Sequence, residues 1–462
     1  MDSLMKNKAR VIIDDFAKEI DKAKQRGNKP AKAVIDFRNE RADGVEREIF
    51  HVPIELLRYR KDNGRICSDV KSYEKYYGTL DEKSKKAQQI IRDFLKAKDP
   101  EKTDELMRSI RHSKQREPAI ITCDGFLING NRRKMVLDDL SEENFKTMKV
   151  VILPGNDDDG GPPTLLEIEK IENRYQLQSD GKAEYSNFDK ALSIKRKLDL
   201  GMTLKELLKD DSVYAGCSEK ELTKAIKKTE DEYLNPLECI DRYLEQLRRP
   251  EIYDCIATGK GDREGRWQAF LDYYNHVYKQ LEDDKKRLRL GIQEDEIGDI
   301  EEISFKIIRK REFPDLPKVH KIMRDLPKWL QNKESKKELL KLKKIEIDLP
   351  RNECIEEDGE ECDERKKDKI WGSKHATDII RQVKKAKDYF EHKKERETPL
   401  TLLEAALKKL QHEDMVPEAL NIKDFPKAMR LTKDIQKEGS DLESAFYHYG
   451  KEAKKLKAKF SG

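Results

Sequence analysis

One stretch restricts the fold more than any other. Residues 118–130 run Pro-Ala-Ile-Ile-Thr, then Cys123-Asp124-Gly125, then Phe-Leu-Ile into Asn129-Gly130. The chain passes directly from there into Asn131-Arg132-Arg133-Lys134-Met-Val-Leu. A β-branched run bounded by turn residues reads as strand, and Cys123-Asp124-Gly125 as the turn of a hairpin. The basic run after it is helix-forming, so the segment is a strand–turn–helix and the chain cannot be a simple helical bundle. Gly130 permits a tight turn with exposed N–H groups, and the helix that follows turns its positive dipole end toward them. Arg132 and Arg133 can clamp oxyanions in bidentate fashion. Physically this is a phosphate cradle; the plainer reading is an ordinary junction with a solvated arginine pair.

The flanking sequence supplies the rest of a sheet. Extended runs are read at 33–37, 48–57 and 148–155, with helices over Asp81–Ala97 and Glu101–His112 between them. Residues 4–25 read as an amphipathic helix with Val11, Ile12, Phe16 and Ile20 on one face. Residues 1–160 are therefore α+β. NDDDGGPP at 156–163 is a loop, and from about 164 the chain is helix-rich. Capping boxes at Thr203/Glu206 and Ser218/Glu221 each open a short apolar-periodic run. Helices follow at 236–249, 266–291 and 303–311, and prolines 314, 317 and 327 punctuate a connector. A charged segment at 328–370 holds one helix and an acidic loop. Three further helices are read after 373, on Ile379/Val383/Ala386/Phe390, on Leu402/Leu403/Ala406/Leu410 and over 440–458. The domain boundaries follow as 1–47, 48–185, 186–312, 313–372 and 373–462.

Composition excludes several classes. No apolar run approaches the ~18–20 residues of a membrane span, and the first residues, MDSLMKNKARVIIDD, have no signal-peptide core. A cytoplasmic protein without a membrane partner is expected. The seven cysteines contain no C-x-x-C pair, and the eight histidines show no metal-ligand spacing, so neither zinc nor a disulfide framework is read. Eight acids without a base lie in 353–364, but they lack the order of a calcium loop. Residues 365–462 hold 24 bases against 16 acids, a basic C-terminal quarter. Trp267, Phe270, Tyr273, Tyr274 and Tyr278 fall at helical spacing, which is core before it is a base-stacking platform.

Five short motifs in a fixed order raise the phosphate reading. Val52-Pro53-Ile54-Glu55-Leu56-Leu57 is followed by Asn63-Gly64-Arg65. Next come Leu106-Met107-Arg108-Ser109-Ile110 with Pro118 nine residues on, then Gly130-Asn131-Arg132-Arg133, then Glu172-Asn173. This order resembles the N-terminal domain of the ParB/sulfiredoxin superfamily, with its I-P-x-x-x-I strand, N-P-R element, L-x-x-S-I helix, G-x-R-R phosphate motif and E-N pair. Ala191–Leu208 in turn resembles the start of the ParB helix-turn-helix. The resemblance covers roughly residues 48–235. Lys114 stands where centromere-binding members carry a glycine, no arginine follows Glu172-Asn173 at the usual offset, and Cys123 does not match the sulfiredoxin cysteine.

The resemblance implies an α+β nucleotide-binding domain of ParB/sulfiredoxin type followed by a predominantly α-helical remainder. It implies ATP or CTP with Mg²⁺, held by Arg65, Lys114, Asn129, Gly130, Asn131, Arg132, Arg133 and Asn173. Glu172 is the expected metal ligand or base, and hydrolysis of the triphosphate is the implied activity. DNA is the expected partner of the helix after Ser218, through Lys220, Thr223, Lys224, Lys227 and Lys228. That helix has a second reading, a solvated basic helix of a bundle. The gap of about eight residues before it exceeds the turn of a strict helix-turn-helix. A phosphotransfer enzyme or nuclease of the same superfamily stays open. So does a non-catalytic regulatory subunit of a genome-defence or plasmid system, acting as a homodimer or with a partner protein.

Overall fold

The computed structural model describes residues 9–24, 31–35, 37–38, 46–98, 100–177, 186–209, 214, 216–256, 266–349 and 363–460. Of the acidic run 353–364, residues 353–362, with Cys354 and Cys362, lie outside them. The architecture is α+β with a helical bulk: a four-stranded mixed sheet, then helix after helix. The contacts divide the chain into two units, 1–390 and 391–462.

The sheet has the order β1 (Lys32–Val34), β2 (Glu46–Pro53), β4 (Thr147–Ile152), β3 (Ala119–Ile121). β2 pairs antiparallel with both β1 and β4, and β3 lies parallel to β4. Ala119, Ile120, Ile121, Val150 and Val151 are fully buried, which explains the unbroken apolar runs of these two strands. After β3 the chain turns at Thr122–Gly125 and doubles back, so that Thr122 N donates to Phe126 O (2.9 Å) and Ile128 N to Ile120 O (2.9 Å). The expected hairpin is therefore a short return along the outer edge of β3. The Asn129 amide finishes it by accepting from Ile120 N at 2.8 Å.

α1 (Asp14–Lys24) is shorter than the helix expected over 4–25. Residues 10–13 are taken up by Asp124, which binds Arg10 (2.7 Å) and accepts from Ile13 N (3.2 Å). Val11 is consequently exposed, while Ile20 is buried. α2 (Cys67–Tyr77), α3 (Lys85–Ala97) and α4 (Pro100–Ser113) fill the crossover between β2 and β3, and α5 (Asn131–Asp139) leaves the Gly130 turn. One core joins these helices to the sheet around Ile66, Ile91, Leu127, Met135 and Val150.

Next come α6 (Leu165–Leu177), α7 (Asn187–Asp199), α8 (Leu204–Lys209), α9 (Glu219–Thr229) and α10 (Asn235–Gln246). The segments α11 (Trp267–Tyr273), α12 (Lys279–Leu281), α13 (Asp284–Arg289), α14 (Ile297–Lys310), α15 (Val319–Leu330) and α16 (Lys333–Leu340) follow. π-turns at Glu230–Leu234 and Tyr274–Tyr278 join α9 to α10 and α11 to α12. α17 (Glu364–Lys374) and α18 (Ala376–Leu410) come after. Both expected capping boxes are present: Glu221 accepts from Ser218 N (2.8 Å) and Glu206 from Thr203 N (2.8 Å). The aromatic run packs inward as expected, with Trp267, Phe270 and Tyr273 buried in one core that extends to Val383 and Ala386. Pro327, expected in a connector, sits buried inside α15 instead, because Ile322, Met323, Leu326 and Trp329 hold that helix to the core. The first two of the three helices expected after 373 are the single α18, and the third, expected over 440–458, is the longer α19 (Phe425–Phe460).

Three arginines close around one carboxylate in this core. Asp368 meets Arg266 at 2.6 Å, Arg249 at 2.8 Å and Arg309 at 2.9 Å. Burial alone would raise Asp368, but Arg266, Arg309 and Arg249 outweigh it and hold the carboxyl at about 2.

Candidate functional site

Gly130 begins α5 at φ +84°, a left-handed conformation, and carries no Cβ for a second reason. A Cβ there would lie 2.7 Å from the Ala119 Cβ and 3.2 Å from the Met148 Cε. The first helical hydrogen bond back to the turn is Lys134 N to Gly130 O (2.9 Å), so the N–H groups of 131–133 precede the helical ladder. They open on a cleft of about 360 Å³. Asn129, Gly130, Asn131, Arg132 and Arg133 form one wall of it, and Asn63 and Arg65 from the loop after β2 contribute as well. α4 adds Lys102, Glu105, Leu106 and Ser109, while Leu95, Lys98, Glu117, Ile128 and Tyr175 complete the lining. Thus the N-G-R and G-N-R-R motifs, some 65 residues apart in the chain, meet at one place.

Five basic side chains, Arg65, Lys98, Lys102, Arg132 and Arg133, line the cleft beside two acids, Glu105 and Glu117. Burial, and Arg65 beside it, push the Arg132 guanidinium down to about 10. Lys98 is held by Asp69 (2.9 Å) and Asp189 (3.0 Å), and Lys102 by Glu105 (3.0 Å). Arg133 is lowered by burial and turns back to donate to the carbonyls of Glu117 and Pro118, at 3.1 Å for the latter. It therefore fixes the turn. Asn129 is likewise spent on the edge of β3. Asn131 is buried, with an Oδ1 that has no hydrogen-bond partner among the described residues.

Glu172 and Asn173 lie behind the cleft rather than on its lining. Glu172 Oε1 accepts from Gly64 N at 3.1 Å and Oε2 binds Arg60. Burial would raise this carboxyl, yet Arg60, Lys197 and Arg196 hold it below its ordinary range. Neighbouring Glu169 binds Arg196 (2.8 Å), and Lys197 donates to Asn173 Oδ1 (3.0 Å). Two helices, α6 and α7, thereby grip the loop that presents Asn63 and Arg65. Lys114 does not line the cleft either. It ends α4 in the left-handed region, φ +59°, with its N–H donating to Ile110 O at 2.8 Å. A lysine here keeps the backbone shape that glycine would take more readily, and its side chain is exposed.

Sequence reasoning missed Arg60, Lys98, Lys102, Glu105, Glu117 and Tyr175. Tyr175 is one helical turn beyond Glu172, and Lys102, Glu105 and Ser109 share a face of α4, which are signals that could have been read. Arg60 binds Glu172, 112 residues away, and Lys98 binds Asp189, 91 away, as well as Asp69, and no spacing announces these pairs.

The helix expected to meet DNA is α9. Leu222 and Ala225 are buried against Leu208, with Tyr214 and Ile226 packed alongside, while Lys220, Thr223, Lys224, Lys227 and Lys228 are exposed. The Thr223 hydroxyl donates to Glu219 O (2.8 Å), and Lys228 approaches Glu232 at 3.8 Å. Residues 210–213 and 215 of the connecting turn lie outside the described residues.

Among the described residues, no three His, Cys, Asp or Glu side chains converge as a metal site, no disulfide forms, and no helix is long and apolar enough to cross a membrane. Compared with known proteins, the chain matches no protein-family model, no curated protein and no solved structure.

Proposed function

We propose that the cleft binds the polyphosphate of a nucleoside triphosphate, ATP or CTP, and that the chain uses α9 to hold DNA, in the manner of ParB-like proteins. The observation that carries this reading is the meeting of Arg65 and Arg132 at the Gly130 turn. Arg132, half-buried and with Arg65 close beside it, stands at a helix N-terminus, a place that favours an anion. Arg65, Arg132 and Asn131 touch phosphate, Arg133 and Asn129 hold the turn, and Leu95, Leu106, Ile128 and Tyr175 receive the nucleoside. Glu172 positions the Asn63–Arg65 loop. The exposed lysines of α9 meet DNA phosphates, with Thr223 beside base edges.

Magnesium fits as an ion carried on the phosphates, since it keeps several waters and asks for only one or two carboxylates. Both oxygens of Glu172 are engaged, and the cleft acids are Glu105 and Glu117. The same engagement of Glu172 favours a second reading, a binding or regulatory protein with no hydrolysis. A phosphotransferase or nuclease would have to find its base in Glu105 or Glu117.

Titration calorimetry of the whole protein with ATP and with CTP, each with Mg²⁺, tests the proposal. Micromolar binding of one nucleotide, lost in Arg132→Ala and in Arg65→Ala, is the expected result. No heat with either nucleotide rules nucleotide binding out and leaves a DNA or protein scaffold. Phosphate release measured with the bound nucleotide then separates hydrolysis from binding alone.

A further inference from the structure

Among the described residues, one aliphatic hydroxyl lines the cleft, that of Ser109. Leu106 and Ile110 pack α4 onto the sheet core, so the place of Ser109 is set by packing while its side chain stays exposed. Glu105 lies four residues earlier on the same helix and lines the cleft too. Residues at that spacing stand about 5–6 Å apart at Cβ, and helical side chains lean toward the N-terminus, which carries the Ser109 hydroxyl over the Glu105 carboxylate. Glu105 Oε2 accepts from Lys102 at 3.0 Å, which leaves Oε1 for a second donor. The Gly130 turn brings Arg132 and the N-terminus of α5 to the same cleft, with Arg65 close by. Asn131 on that turn is 8% exposed, and its Oδ1 meets no partner among the described residues, so a ligand or a water belongs there. A hydroxyl, a carboxylate one helical turn from it and two guanidinium groups thus share one cavity.

We propose that the chain phosphorylates itself at Ser109, and that the phosphoserine formed closes the cleft to further nucleotide. The step rests on the triphosphate reading above. Ser109 Oγ attacks the γ-phosphorus of the bound nucleotide and forms a bond to it. The bond from that phosphorus to the bridging β,γ-oxygen breaks, and the nucleoside diphosphate leaves with the electron pair. The hydroxyl proton passes to Glu105 Oε1 and from there to solvent. Arg65 and Arg132 take the charge on the transferring phosphoryl oxygens. A hydroxyl held on a helix is oriented beforehand, an advantage that free water lacks. The product carries about −1.5 to −2 charges at pH 7. Glu105 repels it, and so does the C-terminal end of α4, whereas Arg132 and the start of α5 attract it. The phosphate therefore turns into the seat that the nucleotide's phosphates used, and a second nucleotide is shut out.

The test uses the full chain, treated with phosphatase and then freed of it, and incubated with γ-labelled ATP or CTP and Mg²⁺. Incorporation is followed by intact mass and peptide mapping. One phosphate per chain is expected, on Ser109, at a rate independent of protein concentration, as an intramolecular step requires. Ser109→Ala should abolish the label, Ser109→Thr should keep it at the same position, and Glu105→Gln should slow it about 100-fold or more. Both positions are exposed, so these changes leave the fold intact. In calorimetry the phosphorylated protein is expected to bind nucleotide roughly tenfold or more weakly than Ser109→Ala. Nucleotide binding with no phosphate on Ser109 overturns this proposal and leaves the triphosphate reading standing, whereas no nucleotide binding removes both. Label that persists in Ser109→Ala, or a rate that rises with protein concentration, overturns the self-transfer. Equal affinity of the phosphorylated protein and Ser109→Ala overturns the closure.

Discussion

Two residues hold left-handed backbone on either side of the candidate site, and they make opposite predictions. Gly130 is in that conformation and also abuts Ala119 and Met148. Gly130→Ala is therefore expected to cost about 2–4 kcal/mol, read as a lower urea midpoint, from backbone strain plus overpacking. Lys114 adopts the same region at the end of α4 with nothing gained from its side chain in the cleft. Lys114→Gly should stabilise by roughly 0.5–1 kcal/mol and leave phosphate binding unchanged, by the same urea titration. A drop in nucleotide affinity on that change would return Lys114 to the site. Gly130, Arg132 and Asn131 were legible in the sequence because turn chemistry is local. The seat of Glu172 was not, since Arg60 is 112 residues away and a carboxylate reads the same in sequence whether it faces a ligand or a guanidinium.

The elements were legible where their periodicity or caps were strong. α9 sits between its Ser218 cap and Thr229 with the faces expected of it, because Leu222 and Ala225 leave little choice of rotation. Replacing Lys224 and Lys227 with glutamate is expected to weaken DNA binding and to lower the slope of log K against log salt by about 2, more if the new acids repel phosphate. The urea midpoint should not move, as both side chains are exposed. Fluorescence anisotropy at several salt concentrations measures it, and an unchanged slope would assign α9 to the surface of the bundle. α1 was mis-bounded for a tertiary reason: Asp124 takes residues 10–13 out of a helix that their side-chain pattern alone favoured.

Over the whole molecule, the buried charges are what sequence shows least. Asp368 joins Arg249, Arg266 and Arg309, which come from three separate stretches of chain. Asp368→Asn strands those cations and is expected to cost about 3–5 kcal/mol, seen in thermal or urea unfolding. Acid has the same target. The carboxyl's folded value of about 2 lies below its ordinary 3.8, so it contributes up to about 2 kcal/mol above pH ~4, lost as pH falls toward 2. A pH series of urea midpoints in which Asp368→Asn flattens that limb checks the assignment. The α+β beginning and helical bulk were visible from pattern, whereas the single core running from α7 into α18 depends on contacts no local pattern encodes. The return strand after β3 has one more consequence. A three-residue edge strand with free amides invites other chains to add to it, yet here residues 126–129 occupy that edge and Asn129 fills the last position. This edge of the sheet is thus guarded against intermolecular β-pairing by the very segment that builds the cleft, and damage to that turn would open the edge to aggregation.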